Sequence, residues 1–154
     1  MKLYLMRHGE AVKKDVYTDR PLSERGREDT KKTAKFLKAG GIKPNAIWHS
    51  AKLRAKETAQ ILAAELKPVG GLVEKDGLLP EDPVEKIFAE VLSLKDTVML
   101  VGHIPFLQKL ASLALLDSGA FEVIKFNLGG VACLEQAADG KWLLLFELIP
   151  EIVT

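Results

Sequence analysis

Short apolar runs separated by amphipathic stretches set the pattern of this chain. The first run, KLYLM, has the length and continuous hydrophobicity of a buried strand. It breaks off at Arg7, His8, Gly9 and Glu10, placing two nitrogen-rich side chains where a turn residue would be ordinary. The stretch LSERGREDTKKTAKFLKAGG predicts a helix with Phe36 and Leu37 on its apolar side and Gly40 and Gly41 as its stop. AIWHS predicts a short strand leading into a helix over AKLRAKETAQILAAELK. There Leu53, Ile61, Leu62 and Leu66 make a stripe near helical period, and Ser50 is placed to cap the start. A short GLVE segment and a loop, KDGLLPE, come next. DPVEKIFAEVLSL carries helix-entry signals: Asp82 as N-cap, Pro83 in the first turn and Glu85 completing a capping box. TVMLVGH predicts an apolar strand and PFLQKLASLALLDSG a mostly apolar helix. The tail then changes character: FEVIKFNL, VACLEQ and KWLLLFELI predict strands joined by tight glycine turns, hence antiparallel pairing. Alternating strands and helices followed by hairpins predict an α/β fold. It is a three-layer α/β/α domain with a mixed, mostly parallel sheet and a C-terminal antiparallel hairpin region.

Composition narrows the class. A chain of 154 residues without repeats, low-complexity tracts or a composition break predicts one domain over residues 1–154. Its 47% hydrophobic and 28% charged content is that of an ordinary soluble globular protein, which sets aside disordered and membrane-spanning classes. The net charge of +1 hides an asymmetry: basic residues outnumber acidic ones 15 to 7 up to Thr58, and the balance is 7 to 14 from Ala59 onward. Such asymmetry can draw an anionic substrate to one side, although solvated helix faces in RGREDTKKTAKFLK account for most of it. The single cysteine, Cys133, lies in the apolar run VACLE and reads as a small buried hydrophobe. With no intrachain disulfide available, the chain fits a reducing compartment. The start is too quickly charged for a signal peptide, and no apolar run approaches the ~20 residues of a membrane span. A cytoplasmic protein is expected, with no membrane or nucleic-acid partner and an oligomeric state that the sequence leaves open.

The candidate chemistry lies where predicted strands end. LYLMRHG, AIWHSAKLR and TVMLVGHIP each end in a histidine or its immediate company. In open α/β sheets the functional crevice lies outside the carboxyl ends of the strands, so parallel strands would bring His8, His103 and the Ser50–Arg54 turn to one edge. Taken together, LMRHGEA, PLSERG, HSAKLRAKETA and VGHIP, in that order, resemble the histidine phosphatase (phosphoglycerate mutase-like) superfamily, with its Arg-His-Gly signature. The short length, VGHIP and GGVACLE are most similar to its SixA-type phosphohistidine phosphatase branch. The resemblance implies a phosphatase that works through a phosphohistidine intermediate without a cofactor, acting on a phosphorylated substrate that includes phosphohistidine in a protein.

The residues support the same chemistry. Phosphoryl transfer needs an in-line nucleophile and cations around the equatorial oxygens. A neutral imidazole is a competent nucleophile near pH 7. His8 is the expected nucleophile, with Arg7, Arg54 and His103 as the clamp; Arg7 would also disfavour the imidazolium. Gly9, Ser50 and Gly102 are expected beside the substrate, and the resemblance implies that the Gly9 carbonyl fixes the His8 tautomer. His49 reads as structural support. Ala51 departs from the family, many of whose members carry proline there. Glu81 and Glu10 are the candidate general acids; Asp82 has a sufficient role as a cap. An imidazole leaving group needs less protonation than an alkoxide, so a weak or missing acid suits a phosphohistidine substrate. A zinc site on His8, His49 and His103 is disfavoured by Arg7 and Arg54 and by the absence of HxH or HExxH spacing. A broad small-molecule phosphomonoesterase is the alternative enzyme. A phosphate- or phosphoprotein-binding module that has lost turnover is the alternative outside catalysis.

Overall fold

The computed structural model describes residues 1–14 and 19–153. Six strands form one mixed sheet in the order β3-β2-β4-β1-β5-β6. The four strands β1 (Lys2–Arg7), β2 (Ala46–His49), β3 (Leu72–Glu74) and β4 (Val98–Gly102) run parallel. β5 (Val131–Gln136) joins β1 antiparallel and turns back into the edge strand β6 (Trp142–Leu148). The mostly parallel sheet with an antiparallel C-terminal hairpin is the architecture expected from the sequence.

Helices cover both faces, and alternation along the strands assigns the faces. Leu3 and Leu5 of β1 point with Leu100 toward α3 (Val84–Ser93) and α4 (Phe106–Leu116), where Ile87, Val91, Phe106 and Leu107 close one core. Tyr4 and Met6 point the other way with Met99 and Val101, toward α1 (Glu24–Ala39) and α2 (Leu53–Leu66), where Leu37, Ala59 and Leu62 close the second. β1 and β4 are therefore buried on both faces, which is why KLYLM and TVMLVG read as unbroken apolar runs. No helix among the described residues is long and apolar enough to cross a membrane.

Several local expectations need correction. Phe36 is half exposed, and Thr30, Thr33, Ala34 and Leu37 form the buried stripe of α1. On α2 the small residues Ala55, Thr58 and Ala59 line up with Leu62 and Leu66, whereas Leu53 is exposed and Ile61 only partly buried. A stripe of small residues lets that helix approach the sheet closely. Ser50 does not cap α2, whose N-cap is Lys52. The N-cap of α3 is Pro83, which provides no side-chain bond, and Asp82 Oδ2 instead accepts from the Leu79 N–H at 2.9 Å. FEVIKFNL is not a strand. Ile124 and Phe126 alternate into the core beneath it, but β4 and β5 already occupy both edges of β1, so no ladder position remains there.

Candidate active site

The parallel register places the chemistry at the carboxyl ends of the strands. Arg7 closes β1 opposite Gly102 of β4, and the chain continues into His8 and His103 side by side, with ring centroids 5.1 Å apart. The His8 N–H donates to the Gly102 carbonyl at 3.0 Å. A cavity of about 220 Å³ opens here, with Arg7, His8, Arg20, Arg54 and His103 in its wall.

The loop carrying His8 is held from three directions. From α2, Thr58 Oγ1 accepts from the Gly9 N–H at 3.0 Å and donates to the Arg54 carbonyl at 2.7 Å. From α1, Gly26 lies against the loop so closely that a Cβ there would sit 2.0 Å from the Glu10 carbonyl oxygen. From the turn before β5, the Gly129 N–H donates to the carbonyls of Arg7 and His8 at 3.1 and 3.0 Å. Gly129 has φ +71°, the left-handed conformation that glycine adopts without strain. The loop over Phe121–Leu128 also has a task. Its Phe126 carbonyl accepts from Arg7 Nη1 at 2.9 Å and anchors that guanidinium.

Hydrogen bonding fixes the imidazole of His8. Nδ1–H donates to the Gly9 carbonyl at 2.8 Å, which leaves the lone pair on Nε2. Arg54 Nε–H donates to that Nε2 at 3.2 Å. Burial is the largest influence on the ring and lowers its pKa to about 4, with the charges of Arg54, Arg7 and Arg20 adding to the effect. Desolvation thus outweighs the neighbouring arginine that the sequence pointed to, and His8 is neutral throughout the physiological range. His103 is lowered further, to about 3, first by burial and then by its charged neighbours. It is therefore neutral in this state and adds no positive charge to the clamp before an anion arrives. Its Nε2 lies 2.8 Å from Ser50 Oγ, which also accepts from the Lys52 N–H at 3.2 Å.

The structure brings together His8, Arg7, Arg54 and His103. It does not place Gly9, Ser50 or Gly102 in the cavity wall. Ser50 is fully buried and orients His103; Gly9 and Gly102 lend backbone groups to His8. Gly102 has room for a Cβ at ordinary contact distances, so nothing steric demands glycine there. The candidate acids also lie elsewhere. Glu10 Oε1 accepts from Ser23 Oγ at 3.0 Å, tying the loop to the start of α1. Glu81 is exposed, and its neighbour Pro80 is the residue that meets the cavity. Sequence reasoning missed Arg20, which enters the wall after pinning its Nε–H to the Val12 carbonyl at 3.0 Å. Its signal was the dipeptide Arg-Pro just before the cap of α1, where a cation precedes a rigid turn.

Known proteins resemble this chain in sequence and in fold. Residues 3–81 match the model of the histidine phosphatase superfamily (branch 1). An uncharacterized protein of Picosynechococcus sp. is 36% identical over 113 residues, covering 68% of this chain and 67% of that one. In fold, the chain is similar over its whole length to the whole of the protein histidine phosphatase SixA complexed with tungstate, with a TM-score of 0.89 at 20% identity. A protein assigned as the phosphohistidine phosphatase SixA of Agrobacterium tumefaciens superposes with a TM-score of 0.79 at 25% identity, over 97% of both chains. The family match takes in more than half of the chain, from β1 through the Arg54 helix and up to Glu81, and with it this protein belongs to the histidine phosphatase superfamily.

Proposed function

We propose that the protein is a phosphohistidine phosphatase, and that His8 is its nucleophile. The carrying observation is the His8 Nε2 lone pair, held by the Nδ1–H bond to Gly9 and facing a cavity walled by guanidinium groups. An incoming phosphoryl group displaces the Arg54 Nε–H from that lone pair and takes it for its own oxygens. Nε2 then attacks phosphorus. The new N–P bond forms as the N–P bond to the substrate imidazole breaks, and the departing imidazole takes a proton from solvent. Water attacks the His8 phosphoramidate in the second step, releasing inorganic phosphate and regenerating neutral His8. Arg7, Arg54 and Arg20 balance charge on the equatorial oxygens in both transition states, with His103 packed alongside.

The leaving-group preference follows from the carboxylates. An alkoxide leaves poorly unless it is protonated; Glu10 and Asp82 are each hydrogen-bonded within the protein, and Glu81 is exposed and not in the cavity wall. An imidazole carries its own acceptor nitrogen and leaves without such help. The similarity in fold to SixA supports the same reading.

Phosphate release from a phosphohistidine protein and from p-nitrophenyl phosphate tests it, with wild type and His8→Ala. The expected result is much faster release from phosphohistidine, lost in the variant. Fast ester hydrolysis that depends on Glu81 or Asp82 would make the protein a small-molecule phosphomonoesterase instead. Phosphate binding without release from either substrate would make it a binding module.

A further inference from the structure

The cavity over His8 shares a wall with another. A recess of about 300 Å³ lies against the first turn of α2, with Lys14, Asp19, Arg20, Lys52 and Arg54 in its lining. Arg20 and Arg54 line both spaces and so form part of the boundary between them. Among the described residues, four cations here stand beside one carboxylate. None of the four pairs with a carboxylate among the described residues. Arg20 is fixed by its Nε–H bond to the Val12 carbonyl, and among the described residues its terminal nitrogens have no hydrogen-bond partner.

The helix start beside the recess is also charged against its own dipole. The first turn of a helix favours acidic side chains, because the exposed N–H groups carry partial positive charge. α2 has no acidic residue in its first turn and no side-chain cap. It has Lys52 at the N-cap, then Arg54 and Lys56. This arrangement costs stability in the free protein and is relieved by an anion. The influence reaches the chemistry, since the Lys52 charge acts on His103 and the Arg20 charge on His8.

We propose that Arg20 and Lys52 form a second anion subsite beside the phosphoryl site, one that receives an acidic side chain adjacent to the phosphohistidine of a substrate protein. The inference rests on the reading of this protein as a phosphohistidine phosphatase. Lys14 and Lys52 are exposed at the recess, where a side chain on a protein surface can reach them.

Equilibrium binding separates this inference from turnover. Two peptides carry a non-hydrolysable phosphonate analogue of phosphohistidine, one with neutral neighbours and one with aspartate beside the analogue. Wild type is expected to bind the acidic peptide about fivefold to tenfold more tightly at low salt, with the margin shrinking as salt is added. Lys52→Gln is expected to bring the ratio toward one and Lys52→Glu to reverse it. Lys56→Gln, one turn along the same helix, is expected to leave the ratio intact. Equal binding by wild type, or a preference that survives Lys52→Glu, would overturn the subsite. Inorganic pyrophosphate gaining over phosphate while the acidic peptide gains nothing would also overturn it, and would assign the recess to a small bis-anion. Turnover of authentic phosphohistidine peptides, measured separately, tests the parent reading. Its failure leaves the binding ratio interpretable.

Discussion

His8 and His49 occupy two turns that are alike locally and different in every other respect. His8 directly follows a parallel strand and His49 ends one; each is buried, and each donates Nδ1–H to the carbonyl of the next residue at 2.8 Å. Sheet register separates them. His49 pairs with Val101, as Met6 does, so it sits within the sheet on the α1/α2 side. His8 comes two positions after Met6, past the end of β1, and emerges among Arg7, Arg54 and His103. On the proposed reading of His8, a tautomer-fixing turn is therefore insufficient to make a nucleophile. The ring must also project beyond the strand end, into a place where the helix and loops converge their cations.

The comparison is broken most directly by removing each ring. His8→Ala is expected to reduce phosphate release by at least about 10⁴-fold, because it removes the proposed nucleophile. His49→Ala is expected to keep activity within about tenfold and to cost roughly 1–3 kcal/mol of stability, from a lost buried ring and its hydrogen bond. Chemical denaturation alongside initial rates reads both effects. A His49 variant as dead as the His8 variant, yet folded, would erase the distinction.

Arg54 is the next largest difference, since it is the donor that meets the lone pair of His8. Arg54→Ala is expected to lower kcat about 10²- to 10³-fold, in the range seen when one preorganised donor to a transition-state oxygen is removed. An unchanged kcat would show that this guanidinium only shields the ring in the resting state.

Thr58 supports the His8 loop through the Gly9 N–H. Thr58→Val keeps the shape but leaves that buried donor unpaired, with an expected stability loss of about 1–3 kcal/mol. A kcat that falls while KM holds would mark a positioning role. Parallel losses in fold and rate at every temperature would mark a purely structural one.

The smallest effect is in pH. With the His8 pKa lowered to about 4, the acid limb of kcat/KM is expected well below the 6.5 of a free imidazole. Stability has a matching sign. Above pH 6.5 His8 and His103 are neutral in both states. As pH falls from 6.5 toward 4, the unfolded chain takes up protons that the folded one refuses, so stability drops across that window. An acid limb near 6.5 would mean that the ring is solvated in the working enzyme.

How much of this was legible in the sequence depends on the range of the interaction. The strand ends, the helices and the convergence of His8, Arg54 and His103 follow from apolar runs and parallel connectivity, which are properties of pattern. The loop over Phe121–Leu128 reads as a strand because Ile124 and Phe126 alternate as they would in one, while the occupation of both sides of β1 by β4 and β5 is a property of the whole topology. Ser50 looked like a cap since the residue type suits one, and only the tertiary contact with His103 takes its hydroxyl elsewhere. The Arg-Pro dipeptide at Arg20 signals only a turn; that the cation returns to the cavity beside His8, twelve residues earlier, is set by tertiary contacts.

The most direct test of the central claim is to mix the protein with a phosphohistidine substrate, quench in alkali within one turnover and locate the phosphoryl group by peptide mapping. The account predicts an alkali-stable, acid-labile phosphoryl group on the peptide containing His8, absent from His8→Ala. Phosphate release with no phosphoryl-enzyme, or a phosphoryl group on His49 or His103, would contradict it.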